Sequence, residues 1–172
     1  MTYVRGKDGP WTLFGLIDHG SRACLALTAL RSKTAITLIR GLLDTVERYG
    51  TPKVIRTDNE PVFTSWTFRM ALAILGIRHQ RIAPFAPWQN GRIERFFGTF
   101  KERWRQRNVE PAELDPLQRD LRTFRAWYNH VRPHQHLDGR TPAMAWEGKH
   151  PGRRKPRFVN EWEGTLTGYS CP

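Results

Sequence analysis

The chain has 172 residues, with 28 Lys+Arg against 16 Asp+Glu, a formal net charge of +12 and a pI near 10.6. That length supports one domain with a real hydrophobic core, and the charge points to a polyanionic partner, nucleic acid first. Seven tryptophans and nine phenylalanines exclude a disordered chain, and two cysteines far apart in sequence exclude both a disulfide framework and a CxxC metal set.

In chain order, "MTYVRGKDGP" is polar and charged, with no apolar leader. "PWTLFGLID" and "RACLALTAL" are apolar runs of strand length around "HGS" and read as an antiparallel hairpin ending near Leu30. "SKTAITLIRGLLDTVERYG" switches to helical spacing through Ile36, Ile39, Leu43 and Val46, and Gly50 with Pro52 stops it. "KVIRT" is a short β-branched strand ending at Asp58. Thr64 or Ser65 caps a helix whose face is Phe68, Leu72 and Leu75, with Gly76 just past its end.

"IRHQRI" is a further strand, and "APFAPWQNG", with two prolines and a glycine, is a loop. "GRIERFFGTFKERWRQR" is a long amphipathic helix with Ile93, Phe97, Phe100 and Trp104 on one side. Asp115 and Pro116 start another, continued by Leu117, Leu121, Phe124 and Tyr128 and halted before Pro133. "TPAMAW" opens a short helix, and the basic remainder reads as irregular, then extended. Strands followed by strands alternating with helices make this an α/β protein with a mixed sheet covered by helices. Residues 1–130 read as the core and 131–172 as a basic C-terminal extension packing on or trailing it. No run approaches membrane-spanning length, and two separated thiols fit a reducing compartment, so the chain reads as soluble and cytoplasmic, with no membrane partner.

The chemistry centres on two carboxylates. Asp58 closes a strand and Glu94 lies in the first turn of the long helix, with 35 residues between them. The intervening strand end, helix, strand and loop can return the helix start to the strand end. Paired hard oxygen ligands with no His or Cys nearby suit Mg²⁺ or Mn²⁺. The plainer reading makes Asp58 a turn acceptor and Glu94 a favourable first-turn acid. Glu94, Gly98, Lys101 and Arg105 share one helical stripe, bordered at its start by Arg92 and Arg95. A carboxylate at its head and a small residue in its middle give that stripe the look of a DNA-facing surface.

The combination "TDNEPVFTS" and "PFAPWQNGRIERFFGTFKE" resembles the second and third parts of the DDE signature of retroviral integrases and insertion-sequence transposases. "WYNHVRPHQHLDGRTPAMAW" resembles the segment that follows the catalytic core in many bacterial transposases of that type. The resemblance implies an RNase H-like fold, a mixed five-stranded sheet flanked by helices. It implies metal-dependent 3′-end cleavage and strand transfer, partners in transposon-end and target DNA, action as a homo-oligomer, and residence at the bacterial nucleoid. It makes Asp58 and Glu94 the second and third metal-binding acids. Asn59, Gln89, Asn90, Arg92, Arg95, Lys101 and Arg105 become DNA-facing positions. Glu60 stands where the family often has glycine, a departure expected to matter only within its turn.

The first acid of the trio is the gap. In the resembling proteins a D-x-T on the first strand precedes a hairpin, and "TYVRGKDGPWTLFGLIDHGSR" matches that order with Thr2 as the threonine. The aspartate would then lie immediately before Met1, with the first strand truncated. Asp18 and Arg22 are expected to organise a turn, and Asp8 to lie in a loop, with rescue of the metal site by Asp18 or Asp8 the lesser alternative. A non-catalytic DNA-binding remnant is the competing function, and a nuclease of the same fold acting on RNA is a third. His130, His134 and His136 carry metal-like spacing, but Pro133 interrupts any shared helix face, which argues against zinc. Trp104, Phe124, Trp127 and Trp146 read as packing rather than as base-stacking platforms. The "RRKPR" run at 153–157 reads equally as a phosphate-contacting arm and as a solvated charge run.

Overall fold

A computed structural model describes residues 1–84, 86–150 and 155–170. Cys171 and the first two residues of the 153–157 basic run lie outside them. Strands β1 (Thr2–Gly6), β2 (Gly9–Ile17) and β3 (Cys24–Leu30) form an antiparallel meander, with Thr2 opposite Leu13 and Thr12 opposite Leu30. The predicted hairpin is therefore present, preceded by one more strand. Helix α1 (Ala35–Tyr49) is capped by Thr34, whose hydroxyl accepts the Thr37 amide at 3.2 Å. Strand β4 (Val54–Thr57) runs parallel to β5 (Arg78–Arg81), joined by a short α2 (Pro61–Thr64) and by α3 (Trp66–Ile74). Of the two candidate caps, Ser65 does the work, accepting from Phe68 N.

Helices α4 (Gly91–Arg107), α5 (Leu114–His130) and α6 (Pro142–Glu147) follow, then a hairpin of β6 (Arg157–Glu161) and β7 (Leu166–Ser170). Successive side chains of a strand point to opposite faces, and β2 uses both. Leu13 packs with Phe96, Phe100, Phe124 and Tyr128 of α4 and α5, whereas Phe14 packs with Leu38, Leu42, Phe68 and Leu72 of α1 and α3. The sheet is thus sandwiched between two helical layers. The open edge of β3 is covered by α5. Asn129 exchanges hydrogen bonds with both the amide and the carbonyl of Cys24, at 2.8 and 2.9 Å, and Gln118 reaches Thr28 and Ala29.

Three details differ from the sequence reading, in the sheet, in α1 and in α4. The expected single five-stranded sheet falls into two hydrogen-bonded ladders, one of β1, β2 and β3 and one of β4 and β5. All five residues of β1 face Gly9–Leu13, so Phe14–Ile17 of β2 have no β1 partner. A cavity of about 610 Å³ lies there, lined by Phe14, Leu16 and Ile17 on one side and Val54, Ile55 and Asp58 on the other. In α1 the buried stripe is Leu38, Leu42 and Thr45, while Ile36 and Leu43 are exposed, because the register of the helix on the sheet favours the neighbouring stripe. Phe96 is fully buried in α4 beside the expected Phe97, so the apolar face is wider than the periodicity showed.

The tail is more ordered than expected. Trp162 lies 6.0 Å from Phe124 in a stacked pair and 5.7 Å edge-on from Trp104, and Leu166 is completely buried in the same core. Its strands are short and their alternation is weak, which hid them from sequence pattern.

Candidate active site

Asp58 follows directly on β4. Its Oδ1 accepts the Glu60 amide at 3.1 Å, an Asx turn that re-aims the chain, while among the described residues its other oxygen takes no hydrogen bond. The buried Thr57 hydroxyl donates to the Asp58 carbonyl at 2.9 Å and lies 2.8 Å from His79 Nε2. A hydroxyl has one proton, so the imidazole is the donor in the second contact, which fixes its tautomer. Burial, then Arg81 and Arg69, push His79 below its ordinary pKa and keep it neutral. The backbone carrying Asp58 is thereby tied to β5.

The start of α4 is brought to this point by the loop before it. Arg56 on β4 donates to the Gln89 carbonyl at 3.1 Å and to Gln80 Oε1 at 3.2 Å. Gln89 Oε1 accepts the Ala83 amide, closing the loop on itself, and Asn59 Nδ2 donates to the Ile82 carbonyl at 3.0 Å. Asn59 and Gln89 thus spend part of their hydrogen-bonding capacity shaping the loop that they were expected to offer to a substrate. Asp58, Gln89, Asn90 and Arg92 all line the 610 Å³ cavity; Glu94 lies just outside it, exposed in the first turn of α4.

Glu94, Gly98, Lys101 and Arg105 are all exposed, as one outward stripe requires, and Arg95 is exposed beside them. A Cβ placed on Gly98 would meet nothing within 4 Å, so no internal contact requires glycine there. Within the described residues neither Glu94 nor Lys101 nor Arg105 has an ion-pair partner.

Asp18, the other aspartate at the end of an apolar strand, is differently placed. Its Oδ2 accepts from Gly20 N at 3.0 Å, Ser21 N at 2.7 Å and Ser21 Oγ at 2.8 Å, and its own amide donates to the Ala23 carbonyl. Arg22, in the left-handed region at φ 65, completes that turn. Asp8 sits in the turn between β1 and β2, at the opposite end of β2 from Asp18. Among the described residues no three His, Cys, Asp or Glu side chains come together as a metal-binding group. Asp58 and Glu94 fit a hard divalent cation in kind, as a pair of oxygen donors to a shell that waters and substrate phosphates would complete.

Sequence matches decide the family. Two models, both described as integrase core domain, match residues 1–87 and residues 75–142. The chain belongs to the integrase core family. This integrase core is 37% identical over 98 residues to an uncharacterized 39.2 kDa protein of insertion element IS476 from Xanthomonas euvesicatoria, covering 54% of this chain and 26% of that protein. It is 33% identical over 101 residues to the Gag-Pro-Pol polyprotein of bovine leukemia virus, covering 59% of this chain and 7% of the polyprotein. The chain therefore spans about a quarter of the insertion-element protein and far less of the viral one.

Among solved structures, the simian T-cell lymphotropic virus intasome, in complex with PP2A regulatory subunit B56 gamma, matches with a TM-score of 0.75. The match has 23% identity over 98% of this chain and 63% of that one. The HTLV-2 integrase catalytic core in complex with magnesium matches with a TM-score of 0.68 and 21% identity, over 84% of this chain and 90% of that one. The fold of this integrase core is accordingly RNase H-like.

Several features lay outside the sequence reading. Glu60 does not act only within its turn: its carboxylate pairs with Lys33 at 2.7 Å, and Lys33 also donates to Tyr3 Oη at 2.8 Å. Trp146 is 42% exposed and packs edge-on against Tyr49 rather than in the core, whereas Trp104, Phe124 and Trp127 are buried as expected. Trp88, immediately before Gln89, is 75% exposed. His134 donates its backbone amide to the Arg140 carbonyl and accepts from Arg132 at 3.1 Å, a structural use of a residue whose spacing had raised the question of zinc. No helix of the described residues is long and apolar enough to cross a membrane.

Proposed function

We propose that this chain is the catalytic core of a bacterial insertion-sequence transposase that processes element ends and joins them to target DNA, working as a homo-oligomer at the nucleoid. The observation that carries the reading is the meeting of β4, ending in Asp58, with the loop and first turn of α4 on the wall of one cleft, beside an exposed cationic stripe.

Asp58 and Glu94 would hold Mg²⁺ or Mn²⁺. A bound divalent ion there supplies Lewis-acid stabilisation of the phosphate oxygens in an in-line displacement. The carboxylates are ligands and not nucleophiles. Asn59, Gln89 and Asn90 present polar edges to the reacting strand, while Arg92, Arg95, Lys101 and Arg105 hold the phosphate backbone along α4. A third acid, the one that the D-x-T match at Thr2 implies, would complete the set, and with two acids alone metal affinity and rate fall by orders of magnitude.

The test is cleavage and joining of labelled element-end oligonucleotides with Mn²⁺, run on the 172-residue chain and on a version extended at its N-terminus by a strand ending in aspartate. The extended version should join, and Asp58→Asn or Glu94→Gln should abolish joining. Equal joining by the shorter chain would refute the need for an upstream acid. DNA binding by both with joining by neither would favour the binding-only remnant. Cleavage of an RNA–DNA hybrid in place of joining would favour a nuclease.

A further inference from the structure

Three arginines from three different elements converge at the mouth of the cleft. Arg22 comes from the turn after β2, Arg56 from β4 and Arg92 from the start of α4. Arg22 Nη1 and Arg92 Nη1 both donate to the carbonyl of His19. Arg56, anchored to Gln89 and Gln80, lies near enough to act on His19 and Arg92 electrostatically. Arg56 lies on β4 and Asp58 directly follows that strand, two residues on. Arg56, Arg92 and His19 line the same cavity as Asp58.

Like charges gathered in one place need a counter-charge, and this cluster has only Asp18, which acts on Arg92 and His19 without forming an ion pair among the described residues. None of the three guanidinium groups has an ion-pair partner there. Asp18 has committed one oxygen to its own turn through three hydrogen bonds. Burial first, then Arg92, Arg56 and Arg22, lower the pKa of His19. His19 is kept neutral and can serve as a hydrogen-bonding group.

We propose that Arg22, Arg56 and Arg92, with His19, form a clamp for a single phosphodiester group of the DNA strand, seating it beside Asp58. The clamp rests on the DNA-processing reading and deepens it, because it supplies the contact that would fix one phosphate relative to the carboxylate. Guanidinium groups suit the task, since each presents a planar fork of donors to phosphate oxygens. Three forks from three elements converging on one group differ from the α4 stripe, where Lys101 and Arg105 follow one another along a backbone path.

The experiment is fluorescence anisotropy of a labelled element-end duplex over a salt series, with the intact chain, the single variants Arg22→Gln, Arg56→Gln and Arg92→Gln, the triple variant, and Lys101→Gln as comparison. Circular dichroism confirms folding of each. Each single variant should weaken binding about 3- to 10-fold. The triple variant should reduce the slope of log K against log salt by about one, as expected when one phosphate is lost. A slope reduction near three would mean three separate contacts and overturn the clamp.

A duplex with one neutral methylphosphonate linkage, walked along the strand, should lose affinity for the intact chain at one position and not for the triple variant. Unchanged affinity and slope in all variants would overturn the proposal. Competition by millimolar inorganic phosphate, lost in the triple variant and accompanied by indifference to the methylphosphonate walk, would assign the cluster to a free anion and overturn the DNA assignment. If the intact chain binds no duplex at all, the DNA-processing reading fails. Arginine side-chain NMR shifts on adding phosphate then report separately whether the cluster is an anion site.

Discussion

Asp18 and Asp58 present the same local sequence problem, an aspartate at the end of an apolar strand, and the fold answers it in opposite ways. Asp18 lines the same cavity but gives one oxygen wholly to its turn, with three donors on Oδ2. Asp58 accepts a single amide on Oδ1, and among the described residues its second oxygen takes no hydrogen bond. A carboxylate oxygen that holds three donors of its own turn is a structural part; one that holds a single amide is more available to a ligand. The contrast explains why strand-end position alone does not identify a catalytic acid.

The largest effect that would break this contrast is on activity. In a joining-competent version, Asp58→Asn is expected to lower strand transfer by a thousandfold or more, about 4 kcal/mol of lost transition-state stabilisation, with the melting temperature almost unmoved. Asp18→Ala should do the reverse. Leaving Ser21 N–H, Ser21 O–H and Gly20 N–H without their acceptor costs about 1–3 kcal/mol of stability, read by urea denaturation, while duplex affinity of the folded fraction is kept. If Asp18→Ala instead destroyed joining in a fully folded protein, Asp18 would belong to the catalytic set.

A second measurement sharpens the Asp18 side through pH. His134 is pushed down to about 4 by burial first, and then by Arg132 and by Arg22 of the Asp18 turn. Between pH 4 and the ordinary histidine pKa near 6.5 the unfolded chain binds a proton that the folded chain does not. The stability contribution is therefore complete above pH 6.5 and is lost as pH falls through the window toward 4. With the ring partly solvated, the loss should be about 1–2 kcal/mol rather than the full value of the shift. Denaturation curves at pH 7 and pH 4.5 should differ by that much more for the intact chain than for His134→Gln.

How much of this was legible beforehand depends on the distance over which the information is carried. The strands and helices were readable because hydrophobic period and end signals are local: Ser65, one of the two caps the sequence offers, caps α3, and Thr141 caps the helix that "TPAMAW" opens. The expectation that Asp58 and Glu94 converge came from spacing and family resemblance together; Asp58 lines the cavity and Glu94 does not. Convergence of Arg22, Arg56 and Arg92 was invisible, since they share no period and meet only because β2, β4 and α4 end at one place. The packing of Trp162 onto Phe124 was equally hidden, being a contact between a weakly patterned tail and a helix two elements away. The buried stripe of α1 was misread because Ile36 and Leu43 are as apolar as the residues that pack, and only the sheet beneath decides between neighbouring stripes.

The smallest expected effect bears on Asp58 most directly. Glu60 lies two residues beyond it and pairs with Lys33, whose pKa is raised first by that contact and then by Tyr3. The pair is partly solvent-exposed, 35% at Lys33 and 27% at Glu60, so removing it should cost no more than about 0.5–1 kcal/mol. Glu60→Gln is expected to leave joining within about twofold of the parent, since a side chain held by Lys33 across the β3–α1 loop is directed away from the Asp58 cleft. A hundredfold loss with unchanged stability would mean that the Glu60 carboxylate leaves Lys33 and joins Asp58 and Glu94 as a third acid. The site would then be complete within the chain, and the need for an upstream aspartate would disappear.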